Sequence, residues 1–396
     1  MKDLCVMKFG GTCLAEEKDR ERSADLCMEE IAKHRNAVVV VSAMGRKGAP
    51  YSTETLLQLA RDTVPSERSS LIACGEIISA VLFAQLLRNR GVSVEAVTGW
   101  NAGLKTNGRD CEADLESIEM DYLKDALKRR NCIVVAGFQG MSSSGRISTL
   151  GRGGSDITAA AIAAALNADQ LVLFKTVDSV YTADPSKVPE AMKIDRISAE
   201  DLRQLAWQGA KVVHPRASEI ASDSDLKIAI RSHATGEQVT EIEPFVIRSG
   251  KYITGVASGH EAVQFMVDVP EDGPFHRWHA DIFNLVTGAG VSMDMFSVFD
   301  RKVMFTVRSK DKDTVCQALD SRGLEYSTRE SCVKVSIVGA GMHGMQGVMA
   351  RFSSALSSEG IEMLQTVDSH ATISALVYMD RRDEALRTLH REFLEQ

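Results

Sequence analysis

The six residues AVVVVS, Ala37–Ser42, form a continuous apolar run, and the loop AMGRKGAPYS follows it at residues 43–52. A strand that is apolar on both faces is covered on both faces, which is typical of a parallel sheet with helices on each side. The same order of strand, loop and helix recurs along the chain as far as Ser232. The pattern therefore predicts an α/β unit with a mainly parallel sheet sandwiched by helices.

Further apolar runs predict the other strands of this sheet, and charged or alanine-rich stretches predict its helices. The predicted strands are Leu4–Phe9, Ala37–Ser42, Cys132–Gly137, Leu171–Phe174 and Lys227–Arg231. The predicted helices are residues 16–33, a helix that starts near Thr53, and Asp156–Asn167 with Asp156 as its N-cap. Ligands bind at the carboxyl ends of parallel strands, so we expect the glycine-rich loops after these strands to hold the functional site.

The second half of the chain carries an internal repeat. Gly290-Val291-Ser292-Met293 recurs as Gly360-Ile361-Glu362-Met363, and Val303, Phe305 and Val307 recur as Ile373, Ala375 and Val377, in both cases 70 residues later. Each copy reads strand, helix, strand, strand, helix, which is the order of a ferredoxin-like unit. We predict a duplicated module after residue 240, with units at 241–330 and 331–396, and a packed connection over Glu241–Ile253.

Composition limits the classes of function. The 396 residues carry a net charge of −8, which argues against a nucleic-acid-binding surface. No run of 18 apolar residues predicts a transmembrane helix, and the first residues lack the pattern of a signal peptide. The eight cysteines are scattered without metal-ligand spacing, which predicts reduced thiols in a cytoplasmic protein with no bound structural metal.

Two glycine-rich loops offer places for an anion. Lys8-Phe9-Gly10-Gly11-Thr12 lies at a predicted strand end, where paired glycines let backbone N–H groups approach a phosphate and the lysine adds a charge. Gly151-Arg152-Gly153-Gly154-Ser155-Asp156 precedes a predicted helix, whose free N–H groups and dipole favour an anion. Neither is the GxxxxGK[ST] loop, and the first alone also fits an ordinary turn. Together they indicate phosphoryl transfer, where catalysis is mostly positioning and charge neutralisation.

The motifs taken in order resemble a known family. KFGGT, AMGRKG, GFQG at Gly137–Gly140, STLGRGGSD, VDSVYTADP and GAKVVHPR resemble the amino-acid kinase fold family, and specifically the aspartokinases. The repeat resembles the tandem ACT regulatory domains of that family. The stretches GRKGAPYSTETLL and DSHATI are most similar to its monofunctional, diaminopimelate-regulated members.

This resemblance implies ATP-dependent phosphorylation of the β-carboxylate of L-aspartate, the first step toward lysine or diaminopimelate, threonine and methionine. The cofactors would be ATP and a Mg²⁺ ion carried on its phosphates. The resemblance implies catalytic roles for Lys8 and Asp156. It implies aspartate binding by Thr53, Glu76, Arg152 and Ser155, and nucleotide binding by Gly10, Gly11, Lys175, Thr176, Tyr181, Asp184 and Lys211.

The chain departs from the family pattern on the nucleotide side. Lys175-Thr176 stands where the family usually has Thr-Asp, and Ser186 stands where it usually has arginine. These departures motivate a first alternative, a catalytically weakened paralogue that senses an amino acid. A second alternative is a kinase of the same fold that acts on another small carboxylate, a carbamate or a phosphate. KFGGT, Glu76 and the repeated module argue against that second interpretation.

The repeated module implies regulation by a small amino acid. ACT units commonly pair across a homodimer and bind effectors at that interface, and lysine or diaminopimelate is the expected effector here. The expected pocket lies near Met293–Phe296 and Asp368–His370, which makes Met293, Asp294, Asp368, Ser369 and His370 the predicted effector-binding residues. The methionines also fit plain strand core.

Overall fold

The structure, a computed structural model, describes residues 2–176, 179–210, 213–224, 226–243, 246, 252–271, 273–342 and 345–395. Its contacts divide the chain into two units. The first comprises Met1–Val180, Lys193–Ala206 and Lys211–Ile247. The second comprises Tyr181–Met192, Trp207–Ala210 and Arg248–Gln396. The domain boundaries predicted at residues 240 and 330 remain a prediction.

The first unit is built on a mainly parallel sheet. The strands as far as residue 243 are β1 (Lys2–Phe9), β2 (His34–Val41), β3 (Val94–Val97), β4 (Leu104–Thr106), β5 (Leu115–Ile118), β6 (Cys132–Ala136), β7 (Gln139–Ser142), β8 (Ile147–Thr149), β9 (Gln170–Lys175), β10 (Val180–Tyr181), β11 (Lys193–Ile194), β12 (Arg196–Ser198), β13 (Ile228–Ser232) and β14 (Gln238–Glu243). All belong to the first unit except that β10 ends at Tyr181 of the second. Eight of them form one sheet in the order β12-β14-β13-β9-β1-β2-β6-β3. In this sheet β1 pairs in parallel with β2 and β9, and β14 runs antiparallel to β13. The predicted parallel sheet is confirmed.

Seven α-helices lie before residue 224 in the described part of the chain, and the first, third, fourth and fifth of them contact strands of this sheet. They are α1 (Glu17–Ile31), α2 (Thr53–Leu59), α3 (Pro65–Asn89), α4 (Asp121–Arg129), α5 (Gly154–Ala165), α6 (Ala199–Trp207) and α7 (Pro215–Asp223). The valines of β2 are fully buried, as the opening apolar run predicted. Side chains alternate between the faces of a strand. Met7 and Phe9 of β1 therefore enter a core cluster with residues of α1 and α3, and Lys8 points to the other face.

Helix α3 bears on the expectation that no helix crosses a membrane. By length and composition alone, α3 is apolar enough to do so, and it is the one such helix among the described residues. Half of its most apolar stretch is buried within the protein, and its residues Ala80, Phe83, Ala84 and Leu87 belong to the core cluster under β1. These contacts are typical of a core helix.

The second unit contains the duplication. Its elements are β15 (Gly255–Asp268), α8 (Phe275–Gly288), β16 (Asp294–Phe299), β17 (Lys302–Arg308), α9 (Lys312–Asp320), β18 (Tyr326–Val338), α10 (Val348–Ser358), β19 (Gln365–Asp368), β20 (Thr372–Tyr378) and α11 (Arg382–Leu394). The starts of β20 and α11 lie 70 residues after those of β17 and α9. The repeat and its order of elements are therefore confirmed.

One sheet joins the two copies, which the sequence pattern did not predict. Its order is β16-β17-β15-β18-β20-β19. The long central strands β15 and β18 each contribute one part to the first copy and one to the second, because β17 pairs with residues 262–268 and β20 with residues 332–338. Register shifts between Ser258 and Gln264 mark the change from one copy to the other.

Candidate active site

Three charged side chains meet at the carboxyl ends of β1 and β9. Lys8 Nζ lies 2.7 Å from Asp156 Oδ1, and Lys175 Nζ lies 2.7 Å from Asp156 Oδ2. Lys8 and Asp156 are buried, and the Lys175 side chain is only 16% exposed. We call these three residues the Lys–Asp–Lys cluster. The structure brings together both predicted catalytic residues and one predicted nucleotide-binding residue.

The strand register explains how the cluster forms. Lys8 of β1 pairs with Leu173 of β9, and Lys175 lies two residues further along β9. Residues two apart on a strand share a face, so both lysines point to the same face of the sheet. Helix α5 covers that face and presents Asp156 from its first turn.

The prediction that Asp156 is the N-cap of α5 is wrong. The helix begins at Gly154, and its N-cap is Gly153, whose φ of 80° is left-handed and favours glycine. This earlier start places Asp156 inside the first turn, where its carboxylate faces the lysines. Its charge also suits the positive end of the helix dipole.

The electrostatics of the cluster favour a bound anion. Burial alone would raise the pKa of Asp156, but Lys175 and Lys8 outweigh burial and hold that pKa well below its usual range. Burial lowers the pKa of Lys175, and Asp156 opposes that effect. One carboxylate between two ammonium groups leaves a buried excess of positive charge, which a phosphate can neutralise.

The glycine turn after β1 lies directly beside the cluster. Gly10 precedes a short 3-10 turn over Gly11–Leu14, and its carbonyl accepts a hydrogen bond from the Cys13 N–H at 2.9 Å. The Gly11 carbonyl accepts one from the Gly45 N–H at 2.8 Å. This hydrogen bond therefore joins the turn to the loop that follows β2.

We expect Gly11→Ala to destabilise the first unit by about 1–3 kcal/mol, because overpacking of a tight site costs that much. A Cβ atom at Gly11 would lie 2.4 Å from the Ala43 carbonyl oxygen and 2.8 Å from that of Gly45, and both are backbone atoms that cannot turn away. Gly10→Ala is the matched control, since its Cβ would meet only Lys8 Nζ at 3.5 Å. Urea unfolding of both variants measures the effect, and equal stabilities would contradict this account.

A second part of the site surrounds Glu76 of α3. Glu76 is 2% exposed, and its Oε1 accepts a hydrogen bond from the Ala43 N–H at 3.1 Å. Burial raises the pKa of Glu76 to about 8, although the Ala43 N–H and the Thr53 hydroxyl lower it. The structure thus brings together the predicted aspartate-binding residues Thr53 and Glu76. Gly75 allows α3 to approach the loop at residues 43–52, because a Cβ atom at this position would lie 2.7 Å from the Tyr51 carbonyl oxygen.

The raised pKa of Glu76 predicts a pH-dependent stability. The contribution of Glu76 to the free energy of unfolding is fully present below the ordinary carboxyl pKa. It is lost as the pH rises through about 8. Between pH 5 and pH 9 we expect the free energy of unfolding of the wild type to fall by roughly 3–5 kcal/mol. We expect no such fall for Glu76→Gln, because glutamine does not titrate. Urea unfolding at both pH values measures this. Glu67→Gln, an exposed position on the same helix, is the control. Identical pH dependence in wild type and Glu76→Gln would contradict the assignment.

The loop before α5 holds the other predicted aspartate-binding residues. Ser155 is buried in the first turn of α5, and Arg152 is exposed in the loop. The Arg152 guanidinium has no hydrogen-bond or ion-pair partner among the residues that the structure describes. It is therefore available for a carboxylate or phosphate.

His214, from the motif GAKVVHPR, also faces this region. It caps α7, where its Nδ1 accepts a hydrogen bond from the Arg216 N–H at 3.2 Å. A Cβ at Gly153 would lie 2.6 Å from the ring, so the imidazole packs on the loop before α5. Burial lowers the pKa of His214, although the charge of Asp156 opposes this. The run of glycines before Asp156 was the feature of the sequence that indicated a close approach of another segment to this loop.

The other predicted nucleotide-binding residues are Thr176, Tyr181, Asp184 and Lys211. Thr176 is exposed after β9, and its hydroxyl is 3.5 Å from that of Thr12. Tyr181 and Asp184 belong to the second unit, where the Asp184 carboxylate accepts hydrogen bonds from the N–H and hydroxyl of Ser186. Lys211 lies outside the described residues.

A buried group with metal-ligand chemistry lies elsewhere in the first unit. Ligand atoms of Cys5, Glu30 and His34 are all within 4.8 Å of one another. The Glu30 carboxylate already forms ion pairs with Lys33 and Arg231. Two cations on the same carboxylate oppose a divalent metal ion, so we assign no metal to this group.

The predicted effector-binding residues lie on or next to β16 and β19, the two end strands in the order of the six-stranded sheet. Met293 immediately precedes β16, and Asp294 is its first residue and forms an ion pair with Lys334. Asp368 is the last residue of β19, Ser369 and His370 lie between β19 and β20, and all three residues are exposed.

Gln365 links these two edge strands, and the sequence reasoning missed it. Its side-chain amide donates hydrogen bonds to the carbonyl of Met295 and, at 3.0 Å, to the hydroxyl of Ser297. Its Oε1 accepts one from the Gln264 side chain at 2.9 Å. The Met295 backbone is left-handed, with a φ of 46° that a methionine rarely adopts. A glutamine in a strand gives no signal of such a role in the sequence.

Comparison with known proteins agrees with this geometry. Residues 3–232 match the model of the amino acid kinase family, and residues 327–391 match that of an ACT domain. Aspartokinase 1 of Bacillus subtilis is 37% identical over 400 residues that cover 98% of each chain. The chain belongs to the aspartokinase family. The aspartokinase of Geobacillus stearothermophilus is 33% identical over 98% of this chain and 97% of that protein.

Solved structures of the aspartokinase family share the fold. The aspartate kinase of Synechocystis is 28% identical, with a TM-score of 0.54 over 98% of this chain and 69% of that one. Aspartokinase III of E. coli, in complex with aspartate and ADP, has a TM-score of 0.84 over the full length of both chains at 24% identity. The predicted family and its fold, an amino-acid kinase unit followed by ACT units, are confirmed. The roles of individual site residues remain predictions.

Proposed function

We propose that the chain transfers the γ-phosphoryl group of MgATP to the β-carboxylate of L-aspartate and forms 4-phospho-L-aspartate. The observation that supports this most is the Lys–Asp–Lys cluster, because phosphoryl transfer needs positive charge fixed at the strand ends where the phosphates bind. The substrate carboxylate is the nucleophile and attacks the γ-phosphorus in line. No protein nucleophile takes part.

The residues of the first unit divide between the two substrates. Lys8, with the N–H groups of Gly10 and Gly11, neutralises and orients the phosphates, and Asp156 fixes the position of Lys8. Arg152 and Ser155 hold a carboxylate of aspartate, and Glu76 with Thr53 receives its ammonium group. Because Glu76 is protonated at neutral pH without substrate, binding of the ammonium group releases a proton, and the affinity for aspartate rises toward pH 8.

A magnesium ion would arrive with the nucleotide and would be held chiefly by the phosphates of ATP. Both oxygens of Asp156 already meet ammonium groups, so this carboxylate is not available as a metal ligand. Mg²⁺ keeps several waters and binds readily through substrate phosphates. When bound, the magnesium ion would neutralise part of the negative charge on the phosphates.

Regulation belongs to the second unit in this proposal. The effector is a small amino acid, lysine or diaminopimelate, bound at an interface of the ACT units in a homodimer. The edge strand β16 supports such pairing, because Phe296, Val298 and Phe299 are exposed by 63%, 44% and 55%. An effector inhibits only if it binds the less active state more tightly.

The test is ADP release from MgATP with L-aspartate, with L-glutamate or with neither. Release that depends on aspartate is the expected result. Turnover with another acid but not aspartate would favour a kinase of a different substrate. Effector binding without turnover would favour the weakened paralogue, and the double change of Lys175-Thr176 to Thr-Asp would then show whether that pair is the cause.

A further inference from the structure

We propose that Lys175 is a second phosphate-binding cation, which contacts the polyphosphate of ATP beside Lys8 and lets the chain bind ATP without a divalent metal ion. This inference rests on the proposed function, because it assigns a role at the same nucleotide site.

Lys175 lies where it can reach a phosphate that binds Lys8. Lys175 is the last residue of β9, at the carboxyl end of a strand that pairs directly with β1. Its side chain points to the same face as that of Lys8, and Asp156 holds both ammonium groups at 2.7 Å, one on each oxygen. Any anion that reaches Lys8 along this face also comes within reach of Lys175.

The Lys–Asp–Lys cluster carries more positive than negative charge. One carboxylate neutralises one of the two ammonium groups, and the cluster keeps an excess charge of about +1 in a site with little solvent. A structural ion pair needs only one lysine for Asp156, so the second is not required to satisfy that carboxylate. An anionic ligand removes the excess, and its charge also favours the protonated form of Lys175, whose pKa burial lowers.

Lys175 can supply part of the positive charge that a metal ion otherwise brings to the phosphates. Phosphoryl transfer requires the charge on the phosphate oxygens to be neutralised, either by metal ions or by fixed cations. Two lysines at one strand end supply part of that charge from the protein. The protein should therefore bind ATP measurably when a chelator has removed divalent metal ions. Its affinity for ATP should also depend less on Mg²⁺ than it would without Lys175.

The experiment compares the wild type with Lys175→Met, Lys175→Arg and the control Lys105→Met by calorimetric titration of ATP, with Mg²⁺ and with EDTA. Lys105 lies in the same unit and pairs with the exposed Glu119. We expect Lys175→Met to weaken ATP binding in EDTA by about tenfold or more and MgATP binding less, which is the size of one charge-assisted contact. Lys175→Arg keeps the charge and stays within about threefold of the wild type, as does Lys105→Met.

Two results would overturn the proposal. One is equal ATP affinity of Lys175→Met and the wild type in EDTA, which would make Lys175 only a partner of Asp156. The other is a wild type without measurable ATP binding in EDTA, a result that needs no variant to fold. Failure of the proposed function has a different signature, since ATP binding can depend on Lys175 even if aspartate causes no ADP release.

Discussion

Replacing Asp156 by asparagine is expected to lower the free energy of unfolding by about 3–5 kcal/mol, the usual cost of removing one partner of a buried ion pair. The change leaves Lys8 and Lys175 close together without the carboxylate that holds both at 2.7 Å. Turnover should also fall by at least about a hundredfold, because Lys8 loses the group that fixes its position. Urea unfolding and ADP release measure the two effects.

Two further variants make this prediction specific. Asp25→Asn removes a carboxylate that pairs with Arg90 but is 55% exposed, and should cost less than about 1 kcal/mol. The double variant Asp156→Asn with Lys175→Met removes one of the two repelling charges. It should recover a large part of the lost stability while turnover stays low. If the double variant is no more stable than Asp156→Asn, the repulsion is not the cause.

Replacing Lys8 by methionine is expected to lower kcat/KM by about three orders of magnitude or more, the scale of removing a cation that stabilises a transferred phosphoryl group. The same change should alter the free energy of unfolding little, since Asp156 keeps Lys175 as a balancing partner. Lys8 and Asp156 therefore differ sharply: the lysine variant is stable and inactive, the aspartate variant unstable and inactive.

Steady-state ADP release and urea unfolding of the same preparations test this contrast. Lys18→Met, an exposed lysine paired with Glu16, is the control for loss of a charge. A Lys8→Met protein that keeps more than about a tenth of the wild-type kcat/KM would be incompatible with a direct contact between Lys8 and the phosphates.

The sequence predicted the sheet well because its signal is local. A run such as AVVVVS needs cover on both faces, and that requirement fixes a buried strand without knowledge of its neighbours. The 70-residue repeat likewise predicted the paired strands and helices of the second unit. It could not show that β15 and β18 serve both copies, since that depends on pairing between strands about 70 residues apart.

The site was predictable as a set of residue types but not as a geometry. The glycine loops showed where an anion could bind. Asp156 was misplaced as an N-cap because an aspartate before an alanine-rich run fits that position, whereas a left-handed Gly153 starts the helix earlier. The pKa of Glu76 depends on burial by distant segments, and the sequence carries no sign of it.

The central claim is that the first unit phosphorylates the β-carboxylate of L-aspartate. Its most direct test is to run the reaction with MgATP and L-aspartate in hydroxylamine, which traps an acyl phosphate as a hydroxamate, and to identify the product by mass spectrometry and chromatography against both isomers. The account predicts aspartate β-hydroxamate in equal amount to the ADP released. ADP release with no hydroxamate, or with the α-isomer, would contradict it.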